Sequence, residues 1–592
     1  MNRIEVWKSK IQKKLHNINY DDDSLFFFLT LFVGISAGAL AVFIGKAIEF
    51  ISHHAQTLNQ PTLQSLLIGT VFVFISGYIT TRISPWSSGS GIPQTKISIV
   101  VHHGTIKFKD WILKLVSSIL SLSAGLTLGR EGPTVAVTSG LGSSLGSLFS
   151  LPKAKVKSLV AVGSAAGIAA AFNTPIAAVT FTMEEIIGNM NTKSMGPIII
   201  ASVAAAVTSK MLTGGEAIFS VLKYKFEDPK ELIFYLIVGI LAALIAPLWV
   251  QAILKLRQMR ISLFKGHRLT YIMFCFFILM GFAYYDHTIL GSGHHTISES
   301  LLSKLTDWKF VLYLLTIKFF FTSISYSSGI SGGLFMPTLF MGAMIGSLVG
   351  IIANLVYPGQ FEIGAFALVG MGAYFAAVIR TPITSILMIF EMTQDYKIIL
   401  PLMIANITSY IISKKMINGS IYEQISEQDG IHLPTKDDYD ILEQLTVEEA
   451  MIVDPKTLSA QLTVNDSISY IHHSKISGYP ILDHGILCGM ISTNDIAAAH
   501  AQDKGESSIY DICTKDVIKI FPDQSLMVAF HYLNKYKISR IPVVSRIYHN
   551  KLLGIITAED IVNRFGFHIQ EETKEGHGHV DRAYDELNLK KD

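Results

Sequence analysis

An arginine–glutamate pair, Arg130-Glu131, follows an apolar run at 111–128 and precedes a Gly/Ser-rich stretch, inside the hexapeptide Gly129-Arg130-Glu131-Gly132-Pro133-Thr134. Half of the 592 residues are hydrophobic and 16% are charged, with a mean hydropathy of +0.42. These values belong to an integral membrane protein, not to an ordinary soluble or a disordered chain. An acidic side chain at mid-bilayer costs about 2.5–3.5 kcal/mol on insertion scales, so a charged pair in such surroundings constrains the fold. Glycines and a proline beside it predict a helix that stops and restarts within the membrane, which aims free backbone N–H groups at an ion. A short loop at the membrane surface uses the same residue types, and the hexapeptide alone leaves both readings open.

Apolar segments occur at 24–51, 63–80, 111–128, 158–172, 196–207, 232–254, 271–285, 310–326, 363–379 and 398–412. Several fall short of the ~20 residues of a straight crossing, which again predicts re-entrant and discontinuous helices. Basic clusters at 8–14, 153–157, 255–268 and 414–415 mark cytoplasmic ends by the positive-inside rule, so both termini are expected in the cytoplasm. A formal charge of +2 gives no reason to expect a nucleic-acid partner. Cys275, Cys488 and Cys513 are far apart and form no metal spacing, which fits a reduced, disulfide-free protein. The polar, mostly basic residues 1–20 lack the apolar region of a cleavable signal.

The apolar half repeats itself. Gly89-Ser90-Gly91 returns as Gly291-Ser292-Gly293, 202 residues on. Gly129, Pro133 and Thr134 return as Gly333, Pro337 and Thr338 at an offset of 204. Gly163, Thr174-Pro175-Ile176 and Glu184 return as Gly370, Thr381-Pro382-Ile383 and Glu391 at an offset of 207. Three matches in one order predict a duplicated transporter fold whose substrate site lies where the halves meet.

Together, Gly89-Ser90-Gly91-Ile92-Pro93, Gly129-Arg130-Glu131-Gly132-Pro133 and Gly332-Gly333-Leu334-Phe335-Met336-Pro337 resemble the CLC chloride channel and transporter family, in that family's order. The resemblance implies a mostly α, inverted-repeat membrane domain over 24–424, with repeats at about 24–212 and 230–424. It also implies a homodimer in a bacterial inner membrane, each subunit with its own anion path. Residues 1–23 would be a cytoplasmic N-terminal segment and 425–445 a linker. Beyond it, short strand-length runs alternate with helical patterns. Gly478-Tyr479-Pro480-Ile481-Leu482 and Arg540-Ile541-Pro542-Val543-Val544 resemble a tandem pair of cytosolic α/β CBS domains, at 446–502 and 509–567. The charged tail, 568–592, is expected to be disordered.

In this family reading Ser90 and Tyr422 offer hydroxyls, and Leu334 and Phe335 backbone N–H groups, to a central chloride. Glu131 is the gate: ionised, it competes with chloride for the same donors; protonated, it swings away. Glu185 is the internal proton acceptor, and Glu184, repeat partner of Glu391, has a structural role. Acids at both 131 and 185 imply exchange of chloride for protons; the alternative is a passive chloride channel of the same fold. Plainer readings stand beside these: Ser90 as a helix N-cap, Tyr422 as an interfacial tyrosine, Glu131–Arg130 as a surface pair, and Glu184-Glu185 as a helix end in water. One departure is Gln94-Thr95-Lys96 after Pro93, where many relatives carry an acid; it leaves the local helix contacts open. Thr493, Asp495, Thr557 and Asp560, with Asp560 the better candidate, would bind an adenine nucleotide or simply cap helices. No cofactor is required for transport. The G-x-S-x-G pattern at Gly329–Gly333 has no histidine between Ser331 and His432 to serve as a base, so no enzyme is expected.

Overall fold

The computed structural model describes residues 22–58, 62–188, 195–214, 230–264, 267–431, 442–443, 445–471, 476–548 and 551–566. The tail expected to be disordered, nearly all of the N-terminal segment and most of the linker lie outside the described residues. The chain forms two compact units that divide after Leu433.

The first unit is helical, and eight of its described helices are long and apolar enough to cross a membrane. One of them, Phe335–Val356, is missing from the apolar segments read from sequence, although its hydropathy of 2.1 is among the higher ones. The first helix, Asp22–Ala55, shows how a span sorts its faces. Leu29, Val33, Ala37 and Ala41, four residues apart, are buried, while Phe28, Phe32, Phe43 and Phe50 face outward. Small residues do the packing: a Cβ at Gly34 or Gly38 would run into the Met195–Thr213 helix.

Other helices are broken, as expected. Leu63–Tyr78 passes through a π turn and a 3-10 turn. The chain then reverses at Gly89 and Gly91, both at positive φ, and starts the short helix Ile92–Val100. Only glycine takes these angles without strain. The helix from 108 ends at Ser123, five residues before the apolar run does, and Leu126–Leu128 approach the hexapeptide outside any helix.

The sequence repeat is also a packing repeat. Glu131–Leu148 crosses Lys153–Phe172, and Phe335–Val356 crosses Ile363–Ile379, at matching points. A Cβ on Gly142 would strike the Leu159 backbone, and one on Gly346 the Phe366 backbone; Gly163 and Gly370 meet Thr138 and Gly342 in the same way. The halves also cap each other. Glu391 accepts from the N–H groups of Ile176 (3.0 Å) and Ala177 (2.7 Å). Glu184 accepts from the N–H (2.9 Å) and hydroxyl (2.7 Å) of Thr384. Each acid thus satisfies the free N–H groups of the other repeat's Thr-Pro-Ile helix.

The expected domain edge at 424 falls inside the helix Ile421–Gln428. That helix stays with the membrane unit because Ile425 is buried and Arg257 donates to Asp429 (2.7 Å) and Gln428 (2.8 Å).

The second unit holds two three-stranded sheets, each with its own apolar core. The halves exchange their leading segments. Leu445 and Val447 belong to the core of the second half, and Ile452–Val453 pairs with Leu552–Thr557. Ile509 reciprocates in the first half, where Thr514 bridges Met490. These segments are too short to bury their own apolar side chains and take cover on the neighbouring sheet.

The reciprocal capping makes a symmetric prediction. Glu184→Ala and Glu391→Ala should each destabilise the membrane unit by about 1–3 kcal/mol, the cost of orphaned helix N–H groups. Thermal unfolding in detergent measures it; one variant as stable as the parent would contradict the shared role.

Candidate functional site

The loops that carry the repeated motifs meet. Gly129 N–H donates to the Gly333 carbonyl (2.8 Å) and Gly333 N–H to the Gly129 carbonyl (2.7 Å). Gly89 N–H donates to Ile330 (3.1 Å) and Gly332 N–H to Gly89 (3.0 Å). Three helices start from this knot, Ile92–Val100, Glu131–Leu148 and Phe335–Val356, and none has a side-chain N-cap. The first N–H groups of an α-helix have no partner within it, and together with the dipole they favour an anion.

Ser90, Glu131, Leu334, Phe335 and Tyr422 are all buried at or beside this convergence. The Ser90 hydroxyl faces the Cα of Gly132, which also lies against Gly333. The hydroxyls of Ser90 and Tyr422 and one oxygen of Glu131 are buried with no hydrogen-bond partner among the described residues. Buried polar atoms normally find partners, so unpaired hydroxyls beside uncapped helix starts are a cradle-like arrangement whose donors would suit an anion. Ser90 is not an N-cap: Gly91 holds that position, with no side-chain bond. Tyr422, fully buried, is not an interfacial tyrosine, and Glu131, 3% exposed, is not half of a surface pair. The Glu131 carboxylate faces the backbone N–H of Met336, near the start of the opposite repeat's helix. Phe335 packs its ring against Phe172 and Phe375 at 4.7 and 4.6 Å, which fixes the helix start.

Three features of the site escape the sequence reading. The Met336 N–H is one. The second is a pair of buried lysines, Lys114 and Lys318, 204 residues apart. Lys114 Nζ donates to the carbonyls of Ser87 (3.1 Å) and Gly89 (2.5 Å), and Lys318 Nζ to those of Ile289 (3.0 Å) and Gly291 (2.7 Å). Each cation pins the turn before a Gly-Ser-Gly motif, and Lys114 adds positive charge beside Ser90. A lone lysine in an apolar run gives no local signal, although the matching offset was legible. The third is Tyr326, buried against Gly89. Together with Ser88, Gly89 and Ile425 it leads into a cavity of about 430 Å³ that Arg257, Arg260 and Arg268 also line.

Glu184 and Glu185 are both buried, so they do not mark a helix end in water. The Glu185 carboxylate receives Lys96 Nζ (3.3 Å) and the Ser420 hydroxyl (3.2 Å). Tyr422 lies within electrostatic reach of both Glu131 and Glu185.

In the second unit, Asp495 accepts from the Ser492 N–H (2.9 Å) and hydroxyl (2.7 Å), and Asp560 from the Thr557 N–H (2.8 Å) and hydroxyl (2.6 Å). Both acids therefore serve as helix caps. Asp495 also lines a cleft of about 320 Å³ with Ser477, Thr514, Asp516 and Arg540; Thr557 and Asp560 do not line this cleft. Burial pulls the Arg540 guanidinium below its ordinary pKa, and the side chain donates to the Gly478 carbonyl (2.8 Å).

Comparison with known proteins agrees with this anatomy. Residues 71–414 match the family described as voltage gated chloride channel, and 447–501 and 509–566 match the CBS domain. The chain is 30% identical over 420 residues to the H(+)/Cl(-) exchange transporter ClcA of Vibrio cholerae serotype O1, covering 67% of this chain and 88% of that one. A slow cyanobacterial Cl-/H+ antiporter of known structure superimposes with a TM-score of 0.63 at 26% identity, over 70% of this chain and 99% of that one. A eukaryotic CLC transporter shares the fold over 90% of this chain and 97% of its own, with a TM-score of 0.62 at 19% identity.

The cradle can be tested by binding alone. Ser90→Ala should weaken halide binding, read by calorimetry in detergent, by about fivefold, since one hydrogen bond contributes ~1 kcal/mol. Gly132→Val should abolish it, because the new side chain would enter the space of the Ser90 hydroxyl and carbonyl.

Proposed function

This chain belongs to the voltage-gated chloride channel family, and from that membership we propose that it is a secondary active transporter exchanging chloride for protons. The observation that carries the reading is the place of the Glu131 carboxylate, buried at the start of the opposite repeat's helix and against the Met336 N–H. Such a position holds one anion at a time. Ionised, Glu131 takes the donors that a chloride would use; protonated, it has no charge for the helix start to attract and yields to the ion. Each favourable helix-terminus interaction is worth about 0.3–1 kcal/mol, and up to ~2 when partly buried, so neither competitor is trapped.

In this mechanism the Ser90 and Tyr422 hydroxyls and the N–H groups of Leu334 and Phe335 hold the central chloride. Lys114 supplies positive charge without touching the ion. Glu185 receives the proton on the inner side, and the common neighbour of the two acids is Tyr422. A passive channel needs only the gate; a second buried acid on the far side of the tyrosine is what an exchanger requires. The arginine-lined cavity serves as the inner approach for chloride. The protein is placed in the bacterial inner membrane as a homodimer with both termini cytoplasmic, in keeping with its basic clusters. The CBS pair takes an adenine nucleotide in the cleft beside Thr493 and Asp495, with Thr557 and Asp560 as the repeat-related pair.

Flux in proteoliposomes, with chloride and pH read together, tests the exchange. A chloride gradient should drive protons uphill in the parent protein. Glu131→Gln should stop proton movement while chloride still flows, and Glu185→Val should uncouple likewise; uphill proton movement in either variant would contradict the role given to that acid. For the nucleotide, titration with ATP or AMP should show weaker binding in Asp495→Asn than in Asp560→Asn.

A further inference from the structure

Lys96, three residues after Pro93 on the short helix of the first motif, is only 4% exposed. An ammonium withdrawn from water must be paired. Here it has two carboxylates: Glu185 at 3.3 Å and Glu423 at 2.7 Å. The cluster counts one positive and two negative charges, so it is neutral only when a proton is bound.

Three separate elements are joined at this cation. Lys96 belongs to the Ile92–Val100 helix, which begins beside Ser90. Glu185 belongs to the π segment Thr182–Ile187. Glu423 is the third residue of the Ile421–Gln428 helix, and its other oxygen accepts from the Ser420 N–H (2.9 Å) in a capping box. Ser420 in turn donates its hydroxyl to Glu185 (3.2 Å). Tyr422 lies between Ser420 and Glu423 in the chain, so the residue that presents a free hydroxyl to the anion cradle is fixed on both sides by groups that share Lys96. Among the described residues, the charged groups that face Glu185 are Lys96 and Glu423, with the Tyr422 phenol also in reach; its neighbour Glu184 is committed to Thr384.

We propose that Lys96 is a positioning residue that transmits the protonation state of Glu185 to the Tyr422 side of the anion site. With Glu185 ionised, Lys96 and the Ser420 hydroxyl are divided between two carboxylates and the cluster carries a net negative charge near the anion. When Glu185 takes a proton, Lys96 passes to Glu423 alone, the cluster becomes neutral, and the Ser420–Glu423 corner settles where chloride binds more tightly. Linkage then requires chloride to favour proton uptake at Glu185 by the same factor. This rests on the exchange reading for its purpose, but its test does not need transport.

The test is chloride binding by calorimetry in detergent between pH 5 and 8, with Glu131→Gln as the parent so that the gate does not contribute. Chloride affinity should rise on acidification on the order of fivefold, the low end of ordinary coupling between sites. Adding Lys96→Met should flatten the profile, because the cation that the two carboxylates share, and through which Glu185 acts on the Glu423 corner, is gone. Adding Lys96→Arg should restore the slope, and Glu185→Gln should remove it. Should Lys96→Met not fold, Glu423→Gln must remove the pH dependence in its place. A profile unchanged in Lys96→Met or Glu423→Gln, or one already flat in Glu131→Gln, overturns the proposal. Failure of exchange itself shows separately, as absence of uphill proton movement in liposomes of the unsubstituted protein.

Discussion

The two backbone hydrogen bonds between Gly129 and Gly333 set the geometry of everything around them. Repeat-equivalent residues that bond to one another must lie beside the axis relating the repeats, and the helices that follow them then start face to face. A side chain on either glycine would push the loops apart: Gly129 already abuts Met336 and Gly333 abuts Gly132. The proposed anion cradle is thus a by-product of duplication, in which two copies of a helix start are pressed together with their unpaired N–H groups inward. The crossings of Gly142 with Leu159 and of Gly346 with Phe366 hold that arrangement from farther along the same helices.

Burial of charge is the second constraint, and the chain meets it in two ways. Lys114 and Lys318 are surrounded by carbonyls, which satisfy an ammonium without cancelling its charge. Their field remains available to an anion nearby. Lys96 is surrounded by carboxylates, which cancel its charge and make the balance depend on a proton. One residue type therefore fixes a static potential in one place and a titratable one in another, the difference lying only in what each cation touches. Glu184 and Glu391 complete the pattern, since helix N–H groups of the opposite repeat hold both carboxylates, with no ion pair to either among the described residues.

The second unit follows the same economy of exchange. Its halves trade leading segments, so that Val447 and Ile509 are buried in each other's territory. Arg540 stands at the sequence position matching Gly478 and reaches back to that residue's carbonyl, which ties the two sheets together at the cleft beside Asp495.

Sequence alone determined the class of fold, the duplication and the broken helices, and it supplied the motif residues proposed for the site. Those properties are written in hydropathy, in glycine and proline, and in repeated order, all of which are local or periodic. It also set Glu184 apart from Glu185, because only the first has a repeat partner. Tertiary structure decided what depends on neighbours distant in the chain. That Ser90 is unpaired and not a cap, that Met336 and not only Leu334 and Phe335 faces Glu131, and that Lys96 lies between Glu185 and Glu423 are facts of approach between segments from about 90 to more than 300 residues apart. A lysine in an apolar run carries no mark of whether carbonyls or carboxylates await it; the fold supplies its partner, and the partner sets its electrostatic role.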